Sequence, residues 1–279
     1  MTIRLPAFAL AATALFLSSA AAEESLDELK ERLQKVWEPW KGCEAGSWIE
    51  TKSKYLNGST STESESRQTM VSRDEKNLTF ETRTVKRSKD AEGREVVELG
   101  EPQTSTMPVA TQTGGYQDLK DLRHEEVEVA GKKLDCRVVE ATYVTRYAQP
   151  MNGVTETKTK ITMWISPEVR ELGGLVRTEA DTDNKAAMMG TGSADMTLLE
   201  SGKDLKIGEN TVKCSVYRYG NATGKEEMTS TGEVWASTEI PWGYAKTKIV
   251  MNFKTGATTM RMEAEMEVMG MNIVKAKSE

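Results

Sequence analysis

Residues 258–268 read TTMRMEAEMEV. Met260, Met262, Ala264, Met266 and Val268 occupy every second position, and Arg261, Glu263, Glu265 and Glu267 fill the places between. A helix would mix these two sets around its axis, whereas a strand sends them to opposite faces. Just upstream, Ala245, Thr247, Ile249, Met251 and Phe253 alternate in the same way, and Lys254-Thr255-Gly256-Ala257 supplies a connecting turn. The two runs predict an antiparallel hairpin. On its polar side Lys246 and Lys248 meet Glu263, Glu265 and Glu267, each pair adding a few tenths of a kcal/mol.

The same period of two extends back to Gly46, in runs of Thr, Val, Ile, Tyr and Met punctuated by Gly, Asn or Asp. Within it lies an internal repeat. Val127-x-Val129 leads through Gly131 to Leu134-x-Cys136, and Leu205-x-Ile207 leads through Gly208 to Val212-x-Cys214. Further strands end in Trp164-Ile-Ser-Pro-Glu-Val169 and Trp235-Ala-Ser-Thr-Glu-Ile240, then turn into Gly174-Leu-Val-Arg177 and Gly243-Tyr-Ala-Lys246. The order of Cys, W-x-S-x-E-[VI] and G-x-x-[RK] predicts a duplicated four-strand meander. Strands at 46–56, 65–73, 77–87 and 94–98 read as a diverged earlier copy. The units expected are about 46–98, 125–200 and 203–271, within a single β-domain over 23–279. Segments 99–115 and 184–194 read as loops, and Gln117–Leu122 as a helical turn. About ten to twelve strands must curl, close or split into two layers. The fold class expected is mainly β: a curved antiparallel meander sheet or open half-barrel of tandem repeats, with a short N-terminal helix.

These motifs resemble a repeat of uncharacterised exported bacterial β-proteins, some of them similar to the curved-sheet lipoprotein carriers of the LolA/LppX type. The resemblance covers about 125–183 and 203–268, and its motifs are structural. It implies a curved sheet that carries lipid. No lipobox cysteine is present, which implies an unanchored form.

The chain has 279 residues, 38% of them hydrophobic and 29% charged. Polytopic membrane, collagen-like and fully disordered classes are thereby excluded. Residues 1–22 read as a secretory signal peptide: Arg4, an apolar run from Ala7 to Leu17, and Ala20-Ala21-Ala22 before Glu23-Glu24. No later stretch is long and apolar enough to span a bilayer. The expected location is periplasmic or secreted. Ser25 to Val36 predicts an amphipathic helix, with a Ser25/Glu28 capping box and Leu26, Leu29, Leu33 and Val36 on one stripe. Trp37 and Trp40 follow on the same face. The net charge is −6 and no basic stripe occurs, so nucleic acid is not an expected partner.

Little in the chain suggests catalysis. The one histidine, His124, lies among Arg123, Glu125 and Glu126. A zinc site needs more ligands, and a general base needs a nucleophile that no G-x-S-x-G elbow supplies. Carboxylates such as Glu63/Glu65 and Glu263/Glu265/Glu267 read as solvated faces rather than a glycosidase pair. Phosphate-binding and dinucleotide fingerprints are absent. Three cysteines, Cys43, Cys136 and Cys214, leave at least one thiol unpaired, and their pairing is not deducible. Sequons at Asn57, Asn77 and Asn221 matter only in a glycosylating host.

Methionine is the unusual element, crowded into Met251, Met260, Met262, Met266, Met269 and Met271, with Met188-Met189 and Met196 elsewhere. It reads as core filler, as the adaptable wall of an apolar pocket, or as a soft copper(I) site at Met260-x-Met262 or Met266-x-x-Met269-x-Met271. Trp164 and Trp235 share strand parity with Lys158, Lys160 and Glu233, which places them on the wetter face. They read either as packed under the N-terminal helix, near Trp37 and Trp40, or under loops, or else as stacking platforms at equivalent places in two repeats. Equivalent repeats further imply similar stability losses for Trp164→Ala and Trp235→Ala. The expectation is a non-catalytic binding or carrier protein for an apolar or amphipathic, lipid-like ligand of the cell envelope, without cofactor, metal or stable membrane span. Its candidate ligand-binding residues are Met251, Phe253, Met260, Met262, Met266, Trp164 and Trp235. The alternative is a structural or interaction β-module with a solid core.

Overall fold

The computed structural model describes residues 24–35, 40, 42–58, 60–75, 77–89, 95–108, 115–149, 153–181, 195–220, 228–255 and 258–275. The expected signal segment 1–22, Trp37, Met188-Met189 and Asn221 lie outside them. One helix, α1 (Leu26–Lys35), precedes β1 (Trp48–Asn57), β2 (Thr60–Arg73), β3 (Asn77–Lys89), β4 (Glu95–Leu99) and β5 (Gln103–Pro108). Then follow β6 (Gly115–Val129), β7 (Lys132–Gln149), β8 (Gly153–Ile165), a 3₁₀ turn at Glu171–Gly174 and β9 (Leu175–Asp181). The last five are β10 (Asp195–Ile207), β11 (Asn210–Gly220), β12 (Met228–Ala236), β13 (Tyr244–Thr255) and β14 (Thr258–Asn272).

All fourteen strands join one open antiparallel sheet, in the order β4-β3-β2-β1-β14-β13-β12-β11-β10-β9-β8-β7-β6, with β5 beside β4 on the flank of β3. The mainly β, open and curved architecture is therefore as the alternation predicts. No helix among the described residues is long and apolar enough to cross a membrane.

Two segments differ from expectation, both for local reasons. Residues 99–115 contain β5, whose Thr104, Ser105 and Thr106 carry no apolar signal but pair with Glu81, Phe80 and Thr79. Gln117–Leu122 is strand rather than helical turn. The ladder slips between Gln117 and Lys120 and again between Asp121 and Arg123, and Asp118 has φ +53. Each slip inserts an extra residue, so Leu119 and Leu122 fall three apart, which imitates a helical period.

The capping box forms as predicted. The Ser25 N–H donates to Glu28 Oε2 at 2.8 Å, and the Glu28 N–H donates to Ser25 Oγ at 3.3 Å. Leu29 and Leu33 are buried in the same cluster as Val139, Ala141, Ile161 and Met163. Arg32 fixes the helix by donating to the Gly173 carbonyl and pairing with Glu24 at 2.7 Å. That guanidinium holds the Glu24 carboxyl below the usual carboxylate range. Trp40 does not join this cluster. It packs on Phe80, ring centroids 5.0 Å apart, with Ile49, Met70 and Leu78 at the other end of the sheet.

The turns after Trp164 and Trp235 are built alike. The Ser166 N–H donates to the Gly174 carbonyl at 2.8 Å, and the Ser237 N–H to the Gly243 carbonyl at 2.9 Å. Gly174 and Gly243 both have positive φ, +87° and +76°. Trp164 lies opposite Arg177 and Trp235 opposite Lys246, and the ladder shifts immediately after each tryptophan.

Candidate functional site

Residues directly opposite one another on neighbouring strands share a face. One row therefore runs Leu198–Tyr217–Val234–Thr247–Met266–Ser53–Ser64. The next runs Met196–Tyr219–Gly232–Ile249–Ala264–Tyr55–Thr62, and a third Ser230–Met251–Met262–Asn57–Thr60. No member of these rows carries a charge. On the reverse face the row Arg218–Glu233–Lys248–Glu265–Lys54–Glu63 alternates in sign at every strand. Beside it runs Val216–Trp235–Lys246–Glu267–Lys52–Glu65. Lys248 meets Glu265 at 2.7 Å, and Lys246 meets Glu267 at 3.8 Å. The expected pairing across this hairpin is thus present, and it continues onto β1 and β2, where Lys54 meets Glu63 at 3.4 Å.

The uncharged face is the inner one. Tyr244, at the start of β13, lies opposite Ala236 on it, and Tyr116 and Tyr143 stand together on β6 and β7, ring centroids 5.1 Å apart. Five strands separate β13 from β7 in the sheet. Laid flat, these two strands would be roughly 29 Å apart. Tyr244 nevertheless packs against the same buried cluster as Tyr116 and Tyr143, and burial pushes its phenol well above the ordinary tyrosine range. Cα atoms of β10 also come within 8 Å of β6. The sheet curls around this face.

Helix α1 fills the part of the hollow formed by β6 to β9. Across β10 to β14 and β1, the inner face stays partly open. Met196, Tyr219, Val234, Ile249, Met251, Met262, Ala264 and Met266 are half-buried, Tyr55 is 38% exposed and Met260 is 52% exposed. The centre of its floor is Gly232, against which the Tyr219 ring lies; an added Cβ there would meet that ring and the Lys248 carbonyl oxygen.

Of the seven candidate residues, Met251, Met262 and Met266 come together on this open inner face. The backbone of Phe253 pairs with Met228 and Met260 at its end. Trp164 and Trp235 stand apart on the reverse face. Trp164 is 4% exposed: its indole N–H donates to Glu125 Oε1 at 2.8 Å, and the Arg177 guanidinium sits 4.8 Å from the ring centroid. The indole hydrogen bond, then Arg123, holds the Glu125 carboxyl below its ordinary range. Trp235 is half-buried, donates to Glu233 at 2.7 Å and carries Lys203 Nζ 4.8 Å from its ring. Each ring is thus already stacked against a cation. Trp164 does share the cluster of the helix leucines, but Trp40 does not. Tyr219, Gly232, Ser53 and Ser64 were not among the expected site residues, because only the pairing register places them beside the methionines.

His124 is exposed, with Nδ1 3.9 Å from an Asp135 carboxylate oxygen. Cys43, Cys136 and Cys214 are all buried thiols, and none of them is in a disulfide. Burial above all, aided by nearby carboxylates, pushes the Cys136 and Cys214 thiols up to about 11, from 9.0. A thiol whose folded pKa is raised adds stability that is complete below the unfolded value and lost as pH climbs through the folded one. The unfolding free energy from urea titrations should hold from pH 7 to 9 and then fall towards pH 11, by roughly 2–3 kcal/mol for each thiol. A free energy unchanged at pH 11 would contradict this burial.

No protein-family model matches the chain, and no curated protein matches it. Among solved structures, a LolA superfamily protein from Nitrosomonas europaea aligns with 90% of this chain and 94% of its own, at a TM-score of 0.32 and 11% identity. MucB, solved in complex with MucA, aligns with 90% of this chain and 100% of its own, at 0.17 and 9%. Both are distant likenesses.

Proposed function

We propose that the protein is an exported, non-catalytic binding or carrier protein of the cell envelope, and that an apolar or amphipathic ligand lies on the open inner face. The observation that carries this reading is the half-buried, uncharged surface of β10 to β14 and β1, next to a helix that fills the remainder of the hollow. A soluble domain gains stability by covering such side chains, at about 25 cal/mol per Å² removed from water. Here a bound chain supplies that cover, and methionine suits it because an unbranched thioether adapts to varied shapes. The signal-like residues 1–22 support an envelope location.

Native mass spectrometry of the mature protein from its own host tests the reading. A lipid-sized mass that stays bound under gentle ionisation and is lost with Met262→Glu is the expected result. A clean apo mass, unchanged when lipid extract is added, would overturn it and favour a structural module.

A further inference from the structure

The distribution of charge on the two faces specifies the kind of ligand. We infer that the inner face selects an uncharged amphiphile and discriminates against an anionic one; this rests on the carrier reading above. Three rows on the inner face, from β10 or β12 to β2, contain no lysine, arginine, aspartate or glutamate. The lysines nearest in sequence, Lys52, Lys54, Lys246 and Lys248, belong to the reverse face. Each stands there opposite a glutamate: Lys52 opposite Glu65 and Glu267, Lys54 opposite Glu63 and Glu265. Lys246 stands opposite Glu267, and Lys248 opposite Glu233 and Glu265. Their partners are thus provided within the sheet.

A carboxylate or phosphate drawn onto the methionine wall would lose water and gain no cation, which is costly. An uncharged head finds compatible chemistry. Beside the methionines of β13 and β14, strands β1 and β2 present Thr51, Ser53, Thr62, Ser64 and Ser66 on the same face, with Thr51 Oγ1 and Ser66 Oγ 3.2 Å apart. The inner face therefore grades from thioether and aliphatic side chains to hydroxyls over adjacent strands. An acyl chain lies on the first, and a hydroxyl- or ester-bearing head on the second.

Two probes of equal chain length separate the possibilities: monolauroylglycerol, which is neutral, and laurate, ionised at pH 8. Both are titrated below their aggregation limits into the delipidated mature protein, with binding followed by calorimetry. Monolauroylglycerol should bind at least tenfold more tightly than laurate. Ser53→Lys, which places a cation in the Met266 row, should shrink that ratio at least tenfold, and Ser64→Lys provides the same measurement if the first variant misfolds. Equal affinities, or tighter laurate binding, in the unmodified protein would overturn the charge selection while leaving the carrier reading in place. If neither probe binds, both fall.

Discussion

Trp164→Ala should destabilise the protein by about 4 kcal/mol and Trp235→Ala by about 2 kcal/mol. The two positions share a motif, a turn geometry and a register, which alone implies equal losses. Their surroundings differ. Trp164 is buried in one cluster with Cys136, Val138 and Val176, and its indole on β8 holds a carboxylate on β6, two strands away across β7. Truncation would open a cavity and take from Glu125 its indole donor, leaving it paired with Arg123, 2.7 Å away. Trp235 is half-buried, and its indole bonds to Glu233 two residues back on its own strand, so truncation would lose the Lys203 stacking from β10 but leave the inter-strand hydrogen bonds in place. Urea denaturation of the two variants at pH 7 checks this, and losses equal within 0.5 kcal/mol, about the limit of such a comparison, would show that local surroundings do not govern the difference.

Gly232→Val should have a comparable effect, about 3 kcal/mol or more, for the opposite reason. Glycine weakens a strand interior and marks a close approach. Here the approach is double, by the Lys248 carbonyl and the Tyr219 ring. The ring can rotate away, but the carbonyl belongs to the β13 backbone, so β12 and β13 would have to part. Gly232→Ala, combined with Tyr219→Ala, divides the two contributions: removing the ring should restore only part of the loss. A denaturation midpoint for Gly232→Val within experimental error of the parent would refute this picture of the floor.

The alternation of residues 245–268 sufficed to place the hairpin, its faces and its cross-strand charge pairs, because period two and opposite charges are local signals. The start of the sheet, the capped helix and the turns after Trp164 and Trp235 were legible for the same reason. What escaped was non-local. Nothing near Trp48 or Asn272 indicates that these two residues are partners, yet their pairing sets β1 beside β14 and brings Ser53 next to Met266. Strand parity placed the tryptophans on the more polar face correctly, but could not show that Glu125, Arg177 and Lys203 would occupy them. In β6 the slips of register turned a strand period into a false helical one.

The outermost strands of the sheet have one more consequence. β5 ends at Pro108 on one flank and β6 begins at Gly115 on the other. Only residues 109–114 join them. A peptide gains at most about 3.6 Å per residue, so this short leash keeps the two strand ends within about 25 Å of each other however the sheet breathes. The separation of the two sheet edges at that end therefore has a covalent upper limit, set by six residues of chain rather than by hydrogen bonds.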